Sequence, residues 1–262
     1  MSSTRPARPK KHFGQHFLHE RGVVERIVRA IAPQADDTLV EIGPGEGALT
    51  LPLLAAAGRL TAIELDAELI PALEAAARPL GTLDVIRADV LKVDLAALAA
   101  GRRLRIAGNL PYYISSPILF HCLDHADAIV DMHFMLQREV VERMAAAPGS
   151  KVYGRLSVML QLVCTVEPLF RVAPGAFRPP PKVDSAVVRL TPKPPALRPQ
   201  ADPARIAAIV RAAFGQRRKT LGNALRGVLD AEALRAADVD PQARAETLAP
   251  ESFVRLALLP HD

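Results

Sequence analysis

The residues best suited to chemistry are Gly108-Asn109-Leu110-Pro111-Tyr112, where an amide, a rigid ring and an aromatic face follow one another directly. They come after Leu104-Arg105-Ile106-Ala107, an apolar run that reads as a buried strand, so they sit at that strand's carboxyl end. Open α/β sheets bind their ligands at such ends. The exocyclic amino group of adenine is a weak nucleophile because its lone pair is delocalised into the ring. The Asn109 carboxamide oxygen and the Leu110 carbonyl would each accept one of its N–H bonds, favouring a pyramidal nitrogen with its lone pair aimed at an electrophile. Tyr112 would stack on a base flipped out of its helix. A plain strand-end turn uses the same residue types, and the five residues alone favour that turn.

A second constellation lies upstream. Thr38 to Gly43 is a short β-rich run, Gly43-Pro44-Gly45-Glu46-Gly47 is a tight glycine turn, and Ala48 to Ala57 is helical, closed by Gly58. Such a turn lets backbone N–H groups approach a ligand closely. The second strand, Leu60 to Leu65, carries Glu64 about 20 residues further on, where an acid binds a ribose diol. That much suits a nicotinamide dinucleotide as well as S-adenosylmethionine. Two details favour the latter. The turn is Gly-x-Gly-x-Gly instead of the dinucleotide fingerprint, and Glu46 within it would repel a pyrophosphate but not a cationic sulfonium. Asp89, ending a third strand from Leu83, is placed to accept from the ligand's adenine amino group. Singly, Glu64 and Asp89 read as solvated strand-end carboxylates; with the turn in register they read as a cofactor site.

The elements that must hold these residues alternate strand and helix. Glu20 to Ala32 has apolar residues at helical spacing, and Phe13 to Leu18 before it reads as a lid. Helices are expected over 67–77, 116–123, 138–147 and 155–164. Strands are expected over 129–136, 166–172 and 186–190, the last two closing the sheet, with an antiparallel edge. The pattern predicts a doubly wound, mostly parallel α/β sheet. A Pro-rich stretch from Thr191 to Pro203 reads as a linker, and Ile206 to Leu259 contains only helical patterns. The expected division is a flexible basic arm over 1–12, a cofactor-binding α/β domain over 13–195 and a small all-helical domain over 196–262.

Composition sets the bounds. The 262 residues are 50% hydrophobic, enough for one large α/β domain and an appendage. No apolar run approaches the roughly 20 residues that span a bilayer. Cys122 and Cys164 lack metal-ligand spacing and read as core thiols of a reducing cytoplasm. The net charge of +5 points toward a polyanionic partner.

Six motifs in order make the chain similar to the ribosomal RNA adenine dimethyltransferases: Phe13 to Leu18, Glu41 to Gly45, Ile63 to Asp66, Asn109 to Tyr112, Phe177 to Ser185 and Gln216 to Thr220. The last two most resemble the bacterial small-subunit branch. The resemblance implies a Rossmann-like S-adenosylmethionine-dependent methyltransferase sheet. It also implies dimethylation of N6 on two adjacent adenosines in the 3′-terminal hairpin loop of 16S rRNA, within an immature small ribosomal subunit, by a cytoplasmic monomer. Carried over, the cofactor positions are His16, Leu18, Gly43, Gly45, Glu64, Asp89 and Asn109; His16 stands where the family usually has Asn. The catalytic positions are Asn109, Leu110, Pro111, Tyr112 and Phe177, Phe177 covering the second face of the base or else packing as a core aromatic. Transfer from a sulfonium needs positioning more than acid–base chemistry, so no metal and no general base are expected.

Arg211, Arg217, Arg218, Lys219 and Arg226 form a basic stretch without an intervening acid, expected as a helical ridge facing RNA phosphates. Lys10 and Lys11 belong to a second basic patch. The competing readings are a methyltransferase acting on large-subunit RNA, an RNA-binding assembly checkpoint with methylation secondary, and, more distantly, a nicotinamide oxidoreductase.

Overall fold

A short strand β1 (Phe17–Leu18) leads into helix α1 (Arg21–Ile31), which starts where the Glu20 carboxylate accepts from the N–H groups of Gly22 at 3.0 Å and Val23 at 2.6 Å. That cap satisfies donors a helix start otherwise leaves unpaired. The chain then alternates β2 (Thr38–Ile42), α2 (Thr50–Ala57), β3 (Arg59–Glu64), α3 (Ile70–Ala77), β4 (Thr82–Arg87), α4 (Leu95–Ala99), β5 (Leu104–Asn109), α5 (Ser115–Asp124) and β6 (Ile129–Gln137). After α6 (Arg138–Met144) and α7 (Arg155–Val163) come β7 (Cys164–Val172), β8 (Phe177–Arg178) and β9 (Ser185–Pro192). Helices α8 (Pro203–Gly215), α9 (Leu221–Ala224), α10 (Ala231–Ala236) and α11 (Pro250–Leu258) complete it. This computed structural model describes residues 16–260, so the arm expected over 1–12, with Lys10 and Lys11, lies outside the described residues.

Seven strands form one sheet in the order β4-β3-β2-β5-β6-β9-β7. From β4 to β6 all neighbours are parallel, and β9 joins β6 antiparallel, as the edge reading anticipated. The chain runs outward from β2 through β3 to β4, then returns to β2's other side as β5. That reversal puts a topological switch point at the carboxyl ends of β2 and β5, where open sheets form their ligand crevice. Ile27 and Ile31 of α1 pack with Leu39, Leu53, Leu54 and Leu60 in a core that makes this frame rigid.

Two expectations are corrected. Phe17 and Leu18 pair as a strand with β8, Leu18 opposite Phe177, instead of forming a lid; the partner is so distant in sequence that no local pattern announces it. The division of the chain also differs. One compact unit holds residues up to 141 together with 167–192, and the other holds 142–166 together with 193 onward. Residues 142–166, expected in the α/β domain, join the helical unit because Tyr153, Val158 and Leu162 bury their side chains with Ile206, Val210 and Phe253. A small helical segment cannot build a sufficient core alone, and this insertion enlarges it.

Candidate active site

The switch-point crevice is a cleft within the first unit, and the end of β2 forms its floor. Gly43, Gly45 and Gly47 take φ of 68°, 56° and 87°, the left-handed region that glycine enters at no steric cost. Space matters as well, since a Cβ on Gly47 would stand 2.7 Å from Leu73 Cδ1. The Gly45 N–H donates to Glu64 Oε2 at 3.2 Å and the Asp66 N–H to Glu64 Oε1 at 2.7 Å. Glu64 therefore ties the glycine turn to the end of β3, and each of its oxygens keeps a second lone pair for a ligand. Asp89 caps the short turn after β4, accepting from the Leu91 N–H at 3.1 Å.

Glu41, on β2 two residues before Gly43, was not singled out as a site residue from the sequence. It is 1% exposed, lines the cleft, and its Oε2 has no hydrogen-bond partner among the described residues. Burial raises its pKa to about 7; Thr50 alongside pulls it down and the Glu64 charge pushes it up. The readable signal was a carboxylate on a strand whose other residues are apolar. Five acids line the cleft (Glu41, Glu46, Glu64, Asp66 and Asp89) and no Lys or Arg does, among the described residues. Such a cleft suits a cation and disfavours a pyrophosphate.

The opposite wall is the end of β5. A Cβ on Gly108 would lie 2.7 Å from the Ile42 carbonyl oxygen, so glycine there lets the two strand ends close up. Asn109 Nδ2 donates to the His16 carbonyl at 3.1 Å, which leaves the carboxamide oxygen as an acceptor. The Leu110 N–H is held by the Met135 carbonyl at 3.1 Å. Tyr112 is half-buried; its hydroxyl meets Ser185 Oγ at 2.7 Å, and its ring stacks on that of His16, centroids 5.7 Å apart and planes 29° apart. Tyr113, 58% exposed, stands at the mouth.

His16, Leu18, Gly43, Gly45, Glu64 and Asp89 thus line one cleft with Asn109, Leu110, Pro111 and Tyr112. Phe177 does not join them. It is 3% exposed, packed in the core beside Leu18 and Ala176, which is the core-aromatic alternative of the two readings. Among the described residues no group of three or more His, Cys, Asp or Glu is arranged to hold a metal ion.

Residues 7–261 match the family model described as "Ribosomal RNA adenine dimethylase". The chain belongs to that family. Curated relatives named "Ribosomal RNA small subunit methyltransferase A" from Xanthomonas oryzae pv. oryzae and Xanthomonas axonopodis pv. citri are 61% identical to it over 257 residues, 98% of both chains. The solved structure of a dimethyladenosine transferase from Plasmodium falciparum superposes with a TM-score of 0.79 at 26% identity, covering 92% of this chain and 96% of the other. The 23S rRNA methyltransferase ErmE gives 0.70 at 27% identity, covering 92% and 97%.

In this member of the dimethylase family the basic stretch is not a helical ridge. Arg211 lies on α8, whereas Arg217, Arg218 and Lys219 occupy the turn that follows it. Arg217 is engaged within its own unit, donating to the carbonyls of Lys151 at 2.7 Å and Tyr153 at 3.1 Å, with Glu246 at 3.6 Å. Arg226 donates to Asn223 Oδ1 at 3.2 Å. Arg211, Arg218 and Lys219 are exposed, with no side-chain hydrogen bond or ion pair among the described residues.

Proposed function

We infer that the protein uses S-adenosylmethionine to dimethylate N6 of two adjacent adenosines in the 3′-terminal hairpin loop of 16S rRNA. The observation that carries this is Asn109. Its Nδ2 is occupied by the His16 carbonyl, its amide oxygen remains an acceptor, and it stands in an acidic cleft at the sheet's switch point.

The residues fit the cofactor. A glycine turn held at positive φ, the diol acceptor Glu64, the amine acceptor Asp89 and a cleft lined by no Lys or Arg among the described residues together match a cationic adenosyl ligand. When bound, S-adenosylmethionine supplies an electrophilic methyl group. The chain's own part is positioning. Asn109 Oδ1 and the Leu110 carbonyl accept the two amino hydrogens and hold the nitrogen's lone pair in line, while Tyr112, fixed by Ser185, offers its face to the base. Burial pushes the Tyr112 phenol up, so it stays neutral and stacks without repelling the cleft's acids.

Relatives named for the small subunit, 61% identical over nearly the whole chain, support the 16S assignment over large-subunit RNA. The same reading extends to RNA within an immature subunit, met by a monomer in the cytoplasm, with Arg211, Arg218 and Lys219 of the helical unit gripping phosphates. Unmodified small- and large-subunit RNA, each incubated with labelled S-adenosylmethionine and mapped by primer extension, test it. Two adjacent stops in the 3′ hairpin are expected; label confined to large-subunit RNA would overturn the assignment. Asn109→Ala should nearly abolish transfer at saturating RNA and cofactor.

A further inference from the structure

We propose that Tyr113 is a second base platform at the mouth of the cleft, stacking on the nucleotide next to the adenine that Tyr112 receives. This rests on the dimethylase reading and goes beyond it, since Tyr113 takes no part in the methyl transfer itself. Among the described residues Tyr113 is the one exposed Phe or Tyr, 58% of its surface being open, and it lines the cleft. Its ring meets no other ring and its hydroxyl no hydrogen-bond partner among those residues. A lone surface aromatic is ordinary. This one stands where a strand of nucleic acid must enter.

The backbone that carries it is fixed on both sides. The Ile114 N–H donates to the Pro111 carbonyl at 3.2 Å, and Ser115 Oγ donates to the Tyr112 carbonyl at 3.1 Å. The ring of Pro111 sets its own φ, and helix α5 starts at Ser115, so the turn presents Tyr113 without rearrangement. The half-buried ring of Tyr112 and the exposed ring of Tyr113 are consecutive in the chain. A substrate with two adjacent adenosines matches that pair, one base inside the cleft and the next outside it. Flipping the first base strips its neighbour of a stacking partner, and that loss opposes flipping. An aromatic ring at the mouth replaces the lost contact, because base–aromatic stacking accepts any base by its π-face. Charge points the same way. Among the described residues no Lys or Arg lines the cleft to hold the neighbour's phosphate, so an uncharged ring holds its base instead.

The test uses the full chain and small-subunit hairpin RNAs that keep one target adenosine, in either of the two positions. The neighbouring position carries 2-aminopurine, which has a π-face but no N6 amino group, or an abasic residue. The variants are Tyr113→Ala, Tyr113→Leu, which keeps bulk but no ring, and Tyr113→Phe, which keeps the ring. With 2-aminopurine present, kcat/KM for RNA should fall roughly tenfold in Ala and Leu and stay near parental in Phe, in at least one of the two arrangements. On abasic RNA the parent and all three variants should coincide, and S-adenosylmethionine affinity by calorimetry should be unchanged throughout. An equal loss on abasic RNA would make Tyr113 a structural part of its turn. No loss on either RNA would make it an ordinary surface ring. Each of these overturns the proposal, as does weakened cofactor binding. If the parent chain leaves the unaltered hairpin unmethylated, the dimethylase reading itself falls, and the platform with it.

Discussion

At the scale of single residues, we propose that Glu64 and Glu41 divide the handling of a cationic ligand. Glu64 is hydrogen-bonded through both oxygens to the backbone around the cleft, so on that proposal Glu64→Ala removes a ligand contact and two internal ones. Cofactor affinity should fall by about 1.5–3 kcal/mol, the value of hydrogen bonds to a charged group. The melting temperature should fall as well, because the Gly45 and Asp66 N–H groups lose their acceptor. Calorimetry and thermal unfolding on one sample check both; unchanged affinity in a folded variant removes Glu64 from the site. Glu41 differs in that burial sets its pKa to about 7. Below that it is neutral, above it anionic, so cofactor binding should tighten from pH 6 to pH 8, by up to about tenfold. Glu41→Gln should flatten the profile, and a parental profile in that variant would assign the pH dependence elsewhere. Glu64 was legible because an acid at a strand end has a known partner. Glu41 was hidden among residues that read as core, and only its burial with Oε2 unpartnered among the described residues marks it.

At the scale of elements, the sheet's strands were legible because five of them lie in strand–helix alternation with apolar runs. The pairing of β1 with β8, which sets Phe177 opposite Leu18, depends on contacts between segments far apart in sequence. The end of the sheet opposite the cleft is held by Arg105, which bonds Asp131 at 2.8 Å, Asp37 at 2.7 Å and the Ile31 carbonyl at 2.6 Å, joining β5, β6 and the end of α1. His133 lies buried in β6 beside this cluster. Burial lowers its pKa to about 4; Asp131 raises it, and Arg105 and Arg189 lower it. A histidine kept neutral in the folded state but free to protonate when unfolded makes stability rise with pH. Its contribution should be complete above pH 6.5 and lost progressively down to about pH 4. Glu41 acts in the opposite sense, since a raised carboxyl costs stability as pH rises from 4.5 to about 7. Denaturant melts of His133→Phe across pH 4–7 separate them. The variant should lose less stability on acidification than the parent, and an equal loss would place the acid sensitivity in other groups.

At the scale of the molecule, the candidate cleft and the basic stretch fall in different compact units, since every cleft residue lies in the first and Arg211 to Arg226 in the second. The separation of an α/β part from a helical part was legible in the linker's prolines. The interruption of the first part by residues 142–166 was not, because the apolar faces of α7 carry no mark of which core they enter. The same blindness affected the basic stretch. In sequence Arg217, Arg218 and Lys219 are equivalent cations; in the fold Arg217 is bound to two carbonyls and only its neighbours are free to meet phosphate. Counterion release makes log affinity fall with log salt by roughly 0.7–0.9 per phosphate contact. Replacing Arg218 and Lys219 together by Ala should therefore flatten the slope by about 1.4–1.8, with S-adenosylmethionine affinity unchanged and turnover restored at saturating RNA. Arg217→Ala should leave the slope near the parent's and instead lower the melting temperature, by the loss of about 1 kcal/mol of hydrogen bonding in a half-exposed setting. RNA binding titrated from 50 to 300 mM salt distinguishes the two variants. A slope in the double variant that overlays the parent's makes this turn an ordinary solvated surface and returns the RNA grip to other cations, Arg211 first among them. A flattened slope in Arg217→Ala would mean that its guanidinium leaves the Lys151 and Tyr153 carbonyls for phosphate, so the turn reorganises when RNA binds.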